Sequence, residues 1–245
     1  MISVHSLIKS YSGFQAVSRL SFEVAPREIL GLVGPNGAGK TTTLRCLCGI
    51  IPATEGSIRI GGFDLDQNPI AAKQMLAFVP DEPHLFEYLT AWDHLMLFAR
   101  LYGVGDGVDR AETLLRENGL VDKKYAYPAE LSRGMKQKLI IACALLHSPQ
   151  VLVLDEPLTG LDPGAIRRTK RMILRTADEG AAVIVSSHML HLVEEVCSRI
   201  LILQHGQKVL EGSLSQIRQA LPEMDEGADL EEIFMKVTEL GDKSQ

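Results

Sequence analysis

The stretch Gly34-Pro35-Asn36-Gly37-Ala38-Gly39-Lys40-Thr41-Thr42 has the spacing G-x-x-x-x-G-K-[ST], and its flanks decide the fold. Ahead of it, residues 29–33 are uniformly apolar, as a strand covered on both faces must be. Behind it, residues 42–47 read as the opening of a helix. Strand, glycine-rich turn and helix are the setting in which this spacing cradles phosphate. Glycines let the backbone turn tightly, so that its N–H groups converge on anionic oxygens. The helix adds about half a positive charge at its N-terminus. Lys40 then reaches the β and γ phosphates of a nucleotide, and the Thr41 hydroxyl ligates Mg²⁺.

Composition bounds what such a loop can serve. At 245 residues the chain is long enough for one large domain or two modest ones. It is 46% hydrophobic and 23% charged, which describes a folded globule and excludes a disordered chain. The net charge of −6 argues against a general grip on nucleic acid, which needs clustered Lys and Arg. Cys46, Cys48, Cys143 and Cys197 contain no C-x-x-C pair and read as reduced, buried thiols of a cytosolic protein. Nothing at the start resembles a signal peptide. The apolar runs, such as residues 139–146, fall far short of the ~20 residues needed to cross a bilayer, so a soluble chain is expected.

Outward from the loop, the first 33 residues read as strands over 3–8, 21–24 and 29–33, with Tyr11 in a loop over 9–13. Another strand over 56–60 completes a small antiparallel sheet. After a strand over 76–79 the pattern changes. Residues 91–102, 111–117 and 132–147 have helical spacing, and no strand is legible from about 85 to 148. That block reads as a helical subdomain inserted into an α/β core. The core resumes with a strand over 151–154, a helix over 164–179, a strand over 182–185 and a hairpin turning at His205-Gly206. Strands alternating with helices imply a mostly parallel, covered sheet. The expected fold is therefore α/β, a P-loop NTPase core with an N-terminal antiparallel β subdomain and a helical insertion. The expected division is an ATP-binding domain over 2–221 and an acidic, helical tail over 222–245. In that tail Leu230, Ile233, Phe234 and Val237 make one apolar stripe, with Asp229 and Glu232 spaced as a capping box.

Val151-Leu152-Val153-Leu154-Asp155-Glu156 delivers two acids at the C-terminal edge of an apolar strand. Ligands of open α/β sheets bind at that edge. Asp155 is placed to hold a metal, and Glu156 to orient and deprotonate a water near the γ-phosphate. An acidic pair at a strand end is ordinary by itself; beside the glycine loop it completes a site.

These residues carry a resemblance. Residues 34–42, then Leu131-Ser132-Arg133-Gly134-Met135-Lys136-Gln137, then residues 151–156, Leu161-Asp162 and Ser187-His188 together resemble the ATP-binding subunit of an ABC transporter. The likeness covers nearly the whole chain, and the segment from Leu131 is its most diagnostic part, similar to the family signature L-S-G-G-Q. It implies a cytoplasmic-face ATPase that drives a separate integral-membrane subunit. Two ATP-binding subunits, homo- or heterodimeric, would sandwich ATP and Mg²⁺ between the glycine loop of one and the Ser132 helix tip of the other. Residue by residue, it implies that Tyr11 stacks on adenine and that residues 34–42 hold the phosphates. It makes Thr41, Asp81 and Asp155 serve the metal, Glu156 the base, and His188 a contact to the γ-phosphate. Ser132 and Gly134 reach the nucleotide, and Asp162 lies at the dimer seam.

Two positions depart from the family pattern. Asp81 stands where the family has Gln, and Arg133 replaces the first glycine of the signature, adding a cation beside the presumed phosphate site. The resemblance also implies that a membrane subunit inserts a short helix into a groove near residues 83–89. Core packing explains Leu85 and Leu89 equally well. The tail pattern L-E-E-I-F is similar to exporter-type subunits. Against this stand a non-transport ABC ATPase acting on ribosomes or DNA, and a small-molecule P-loop kinase. The first lacks its usual second cassette or coiled-coil insertion here. The second leaves residues 131–137 and His188 unexplained.

Overall fold

The structure, a computed structural model, describes residues 1–220 and 229–242. The chain opens with a hairpin, β1 (Ile2–Tyr11) and β2 (Phe14–Val24), followed by β3 (Ile29–Val33) and α1 (Lys40–Leu47). Next come β4 (Glu55–Ile60), the short β5 (Phe63–Asp64), α2 (Pro69–Gln74) and β6 (Leu76–Val79). Three α-helices follow before the next strand: α3 (Ala91–Leu101), α4 (Gly107–Glu117) and α5 (Arg133–Leu145). The chain then runs through β7 (Val151–Asp155), α6 (Pro163–Asp178), β8 (Ala182–Ser186) and α7 (Leu190–Val196). It closes with β9 (Arg199–Gln204), β10 (Gln207–Gly212), α8 (Leu214–Ala220) and α9 (Leu230–Asp242).

Two sheets form, as the strand pattern leads one to expect. Strands β2-β1-β4-β5 make an antiparallel sheet, and β10-β9-β3-β8-β7-β6 make a second one. The second is parallel except for β10, an antiparallel edge strand. Every residue of β3, β7 and β8 is buried, and for β7 and β8 the reason is a two-residue alternation. Val151, Val153, Ala182 and Ile184 pack toward α1 and the antiparallel sheet. Leu152, Leu154, Val183 and Val185 pack toward the cluster holding Leu95, Leu115 and Leu139 of the three helices. At about 1.5–3 kcal/mol per fully buried aliphatic side chain, these two layers dominate the favourable side of folding.

Local signals set the helix starts. Thr90 and Asp93 close a capping box on α3, each side chain accepting the other's backbone N–H at 3.1 Å. Ser132 Oγ accepts the Met135 N–H at 3.3 Å and so caps α5. Asp229 and Glu232 cap α9 reciprocally, at 2.9 and 3.2 Å. The α9 stripe of Leu230, Ile233 and Val237 is buried against Val33, Val193, Ile200 and Ile202. Of the expected tail over 222–245, residues 222–228 and 243–245 lie outside the described residues.

Two readings need correction. Tyr11 is not in a loop: it ends β1, paired with Phe14, and the turn is only Ser12-Gly13. Strand pairing continues further than apolar alternation shows, because exposed polar residues still satisfy the ladder. Helices α2, α7 and α8, of 6 or 7 residues each, were not legible in the sequence. Fewer than two turns cannot display a helical period.

Candidate functional site

The C-terminal ends of β3, β7 and β8 open onto one cleft of about 610 Å³. Residues 36–42 form its floor, Tyr11 and Phe14 stand on one side, and Asp81, Arg133, Asp155, Glu156, Thr159, Ser186 and His188 complete it.

The floor is built for an anion. Helix α1 starts at Gly39 with no side-chain cap and no acidic residue in its first turn, so its first N–H groups face the cleft unneutralised. Gly39 is irreplaceable there. Its φ is +98°, and a Cβ would lie 2.5 Å from the Ala16 carbonyl oxygen. Lys40 is 8% exposed, and its ammonium donates to the carbonyls of Gly34 (2.6 Å) and Pro35 (3.1 Å). Burial lowers the Lys40 pKa, while Glu156 and Asp155 act in the opposite direction. The loop thus curls round its own lysine and aims it across the floor at the acids.

Those acids are held by β8. Asp155 is buried, and its Oδ1 accepts the Ser186 hydroxyl at 2.8 Å. Glu156 sits at φ +48°, a left-handed conformation that a non-glycine residue keeps only when its surroundings enforce it. They do: its N–H donates to the Ser186 carbonyl at 3.0 Å, and its carboxylate takes three donors or partners from the next turn. These are the His188 N–H at 2.9 Å, His188 Nδ1 at 2.8 Å and the Ser187 hydroxyl at 3.4 Å. The Glu156 side chain is 15% exposed and His188 is 63% exposed, so the pair presents a carboxylate from below and a ring from the rim.

The α5 side is different. Ser132 and Gly134 do not line the cleft, whereas Arg133 does. Gly134 lies against the loop after β7, where a Cβ would stand 3.0 Å from the Gly160 carbonyl oxygen. Lys138 faces Asp162 at 3.5 Å, and Asp162 caps α6 by accepting the Ala165 N–H at 2.8 Å. Arg133 Nη2 lies 3.6 Å from Asp81 Oδ1, a buried oxygen with no hydrogen-bond partner.

A family model described as ABC transporter matches residues 17–159, more than half of the chain. The chain belongs to the ABC transporter family. Nearly its whole length resembles the ABC-type transporter ATP-binding protein EcsA of Bacillus subtilis (strain 168). The two are 34% identical over 240 residues, covering 97% of this chain and 96% of that protein. Nod factor export ATP-binding protein I of Paraburkholderia xenovorans (strain LB400) is 38% identical, over 92% of this chain and 74% of its own length. A solved ATP-binding subunit of an ABC transporter superposes with a TM-score of 0.92 at 34% identity, over 97% of this chain and 99% of that one. As a member of the ABC transporter family, the chain is an ATP-binding, ATP-hydrolysing transporter component. Action on ribosomes or DNA is not favoured by these matches.

Of the sequence-derived site residues, Tyr11, Asp81, Asp155, Glu156, His188 and residues 36–42 meet in the cleft. Gly34 and Pro35 stand just behind it, where their carbonyls hold Lys40. Sequence reasoning missed Phe14, Thr159 and Ser186. Ser186 was accessible as the residue two before His188 at the end of an apolar strand. Phe14 and Thr159 gave no signal: Phe14 opens β2 opposite Tyr11 and Thr159 lies in the turn after β7, and only the folded backbone brings either to the cleft.

Proposed function

We propose that this subunit works by clasping ATP between two copies, with a defined role for each cleft residue. The backbone N–H groups of residues 36–42 and Lys40 bind the phosphates, and Tyr11 stacks on adenine. Mg²⁺ fits the donors present: the Thr41 hydroxyl and the carboxylates of Asp81 and Asp155 are hard oxygen ligands, and the orphaned Asp81 Oδ1 lacks a hydrogen bond that a cation would replace. Among the described residues no three His, Cys, Asp or Glu cluster into a ready metal site. That suits a cation shared with the nucleotide's own oxygens. The metal supplies charge neutralisation for the phosphates.

Glu156 is the base. Its carboxylate takes the proton of the attacking water, and His188, bonded to Glu156 through both its backbone N–H and its ring, holds the geometry at the γ-phosphate. Ser132 and Gly134, outside their own chain's cleft, close over the nucleotide of the neighbour. Hydrolysis removes the shared phosphate and reopens the pair. The carrying observation is the Glu156–His188 pair, fixed at the strand edge beside Lys40.

The ATP-binding domain is assigned to residues 2–221, with the helical part over 85–148 inserted in it, and the tail assigned to 222–245 contributes the helix Leu230–Asp242. No helix among the described residues is long and apolar enough to cross a membrane. The likeness to transporter ATP-binding proteins supports engagement of a separate integral-membrane subunit on the cytoplasmic face. Phe86 (60% exposed) and Tyr88 (89% exposed) make an apolar docking site between β6 and α3. Export is the favoured direction, supported by the likeness to a Nod factor export protein.

Fractionation of cells that produce the chain with its native membrane subunit tests this. The parent is expected in the membrane pellet, and a Phe86→Asp/Tyr88→Asp variant in the supernatant with an unchanged melting temperature. A parent found in the supernatant, or on ribosomes, overturns the assignment.

A further inference from the structure

The charge balance of the cleft singles out one residue. Its lining carries three carboxylates, Asp81, Asp155 and Glu156, and two basic side chains, Lys40 and Arg133. A triphosphate brings about four negative charges at neutral pH, and Lys40 alone is a poor answer to them. The second cation reaches the cleft from the first residue of α5. Its stem lies along the loop after β7, where a Cβ on Gly160 would meet Arg133 Cδ at 3.5 Å and Nε at 3.6 Å. Its tip stops 3.6 Å from Asp81 Oδ1, too long for a hydrogen bond. Both side chains are about half exposed, so the contact is weak.

A planar guanidinium that lines the same cleft as the phosphate loop and rests on a carboxylate it does not fully bond is free to take a phosphate. We propose that Arg133 binds the terminal phosphate of the nucleotide held in its own chain's cleft, in addition to the trans contact proposed for its neighbour Ser132. Asp81 is its resting partner. Asp81 would be drawn toward a bound cation, which would leave the guanidinium free to turn to the γ-phosphate oxygens and make shorter, charge-assisted bonds there. Arg133 and Asp81 thus act as one exchange pair. The helical block is thereby tied to the core, because Arg133 belongs to α5 and the adjacent Gln137 Nε2 reaches the Pro80 carbonyl at 3.5 Å.

This inference rests on the cleft being the ATP site, and the test separates the two. Equilibrium titration with fluorescent ATP and ADP analogues, at concentrations where sedimentation finds the chain monomeric, is the measurement. Arg133→Ala is expected to weaken ATP about tenfold and ADP less than about twofold, with Arg133→Lys between parent and Ala. Asp81→Asn, which frees the guanidinium, is expected to tighten ATP severalfold when EDTA removes divalent cations. Equal losses for ATP and ADP, or no loss in the monomer with a loss only in the dimer, overturn the proposal. If Lys40→Ala leaves binding intact, the ATP-site reading itself has failed; if Lys40→Ala abolishes binding and Arg133→Ala does not weaken ATP, only the Arg133 inference has.

Discussion

The two halves of the cleft differ in how their polar groups are satisfied. On the strand-end half, partners are short and internal: Lys40 to Gly34 at 2.6 Å, Asp155 to Ser186 at 2.8 Å, Glu156 to His188 at 2.8 and 2.9 Å. At the tip of α5 the contacts are long and exposed: Arg133 to Asp81 at 3.6 Å, and a Ser132 hydroxyl that accepts from its own helix at 3.3 Å. The root of α5 is different again, buried among Leu139, Ile141 and Leu146 and followed by His147 stacked on Tyr102 at 3.7 Å. A helix anchored at one end with loosely partnered polar groups at the other is built to meet something else. The first half is complete in one chain. The second is not.

Substitutions that break this contrast should fall in a definite order. Lys40→Ala removes the one buried cation of the complete half, and ATP affinity is expected to drop by on the order of a hundredfold, read by equilibrium titration. Glu156→Gln keeps size and hydrogen-bond reach but removes the carboxylate proposed as the base. Phosphate release is expected to fall by about 10²–10⁴-fold while ATP binding stays near the parent's. A parental turnover rate in that variant would place the base elsewhere. Ser132→Ala touches the incomplete half. Nucleotide affinity of the monomer is expected to be unchanged, and steady-state hydrolysis at high protein concentration to fall about tenfold.

The smallest effect lies at the α5 root. Burial lowers the His147 pKa to about 4, below the ~6.5 of an unfolded histidine. The unfolded chain therefore binds the proton first, and stability falls as pH drops through that window. Melting temperature is expected to decline from about pH 7 to pH 5, and His147→Phe, which keeps the stack on Tyr102, to flatten that slope. An unchanged slope would mean that other groups set it.

The sequence made the complete half legible because its chemistry is local. The spacing of Gly34, Gly39 and Lys40, and two acids ending an apolar strand, each lie within nine residues. What escaped was non-local or too short. That Ser186 would hold Asp155 follows from the register that pairs them across β7 and β8. That Arg133 would enter its own cleft follows from how α5 meets the loop at Gly160, which no spacing encodes. Polar residues hide the end of β1, so the sequence alone places Tyr11 in a loop.

The central claim is that a second copy completes the site. Sedimentation of the Glu156→Gln chain with Mg²⁺ and ATP tests it most directly: a particle of twice 26.9 kDa is expected with ATP, and one of 26.9 kDa with ADP. A particle that stays at 26.9 kDa with ATP demonstrably bound, or that doubles equally with ADP, would contradict it.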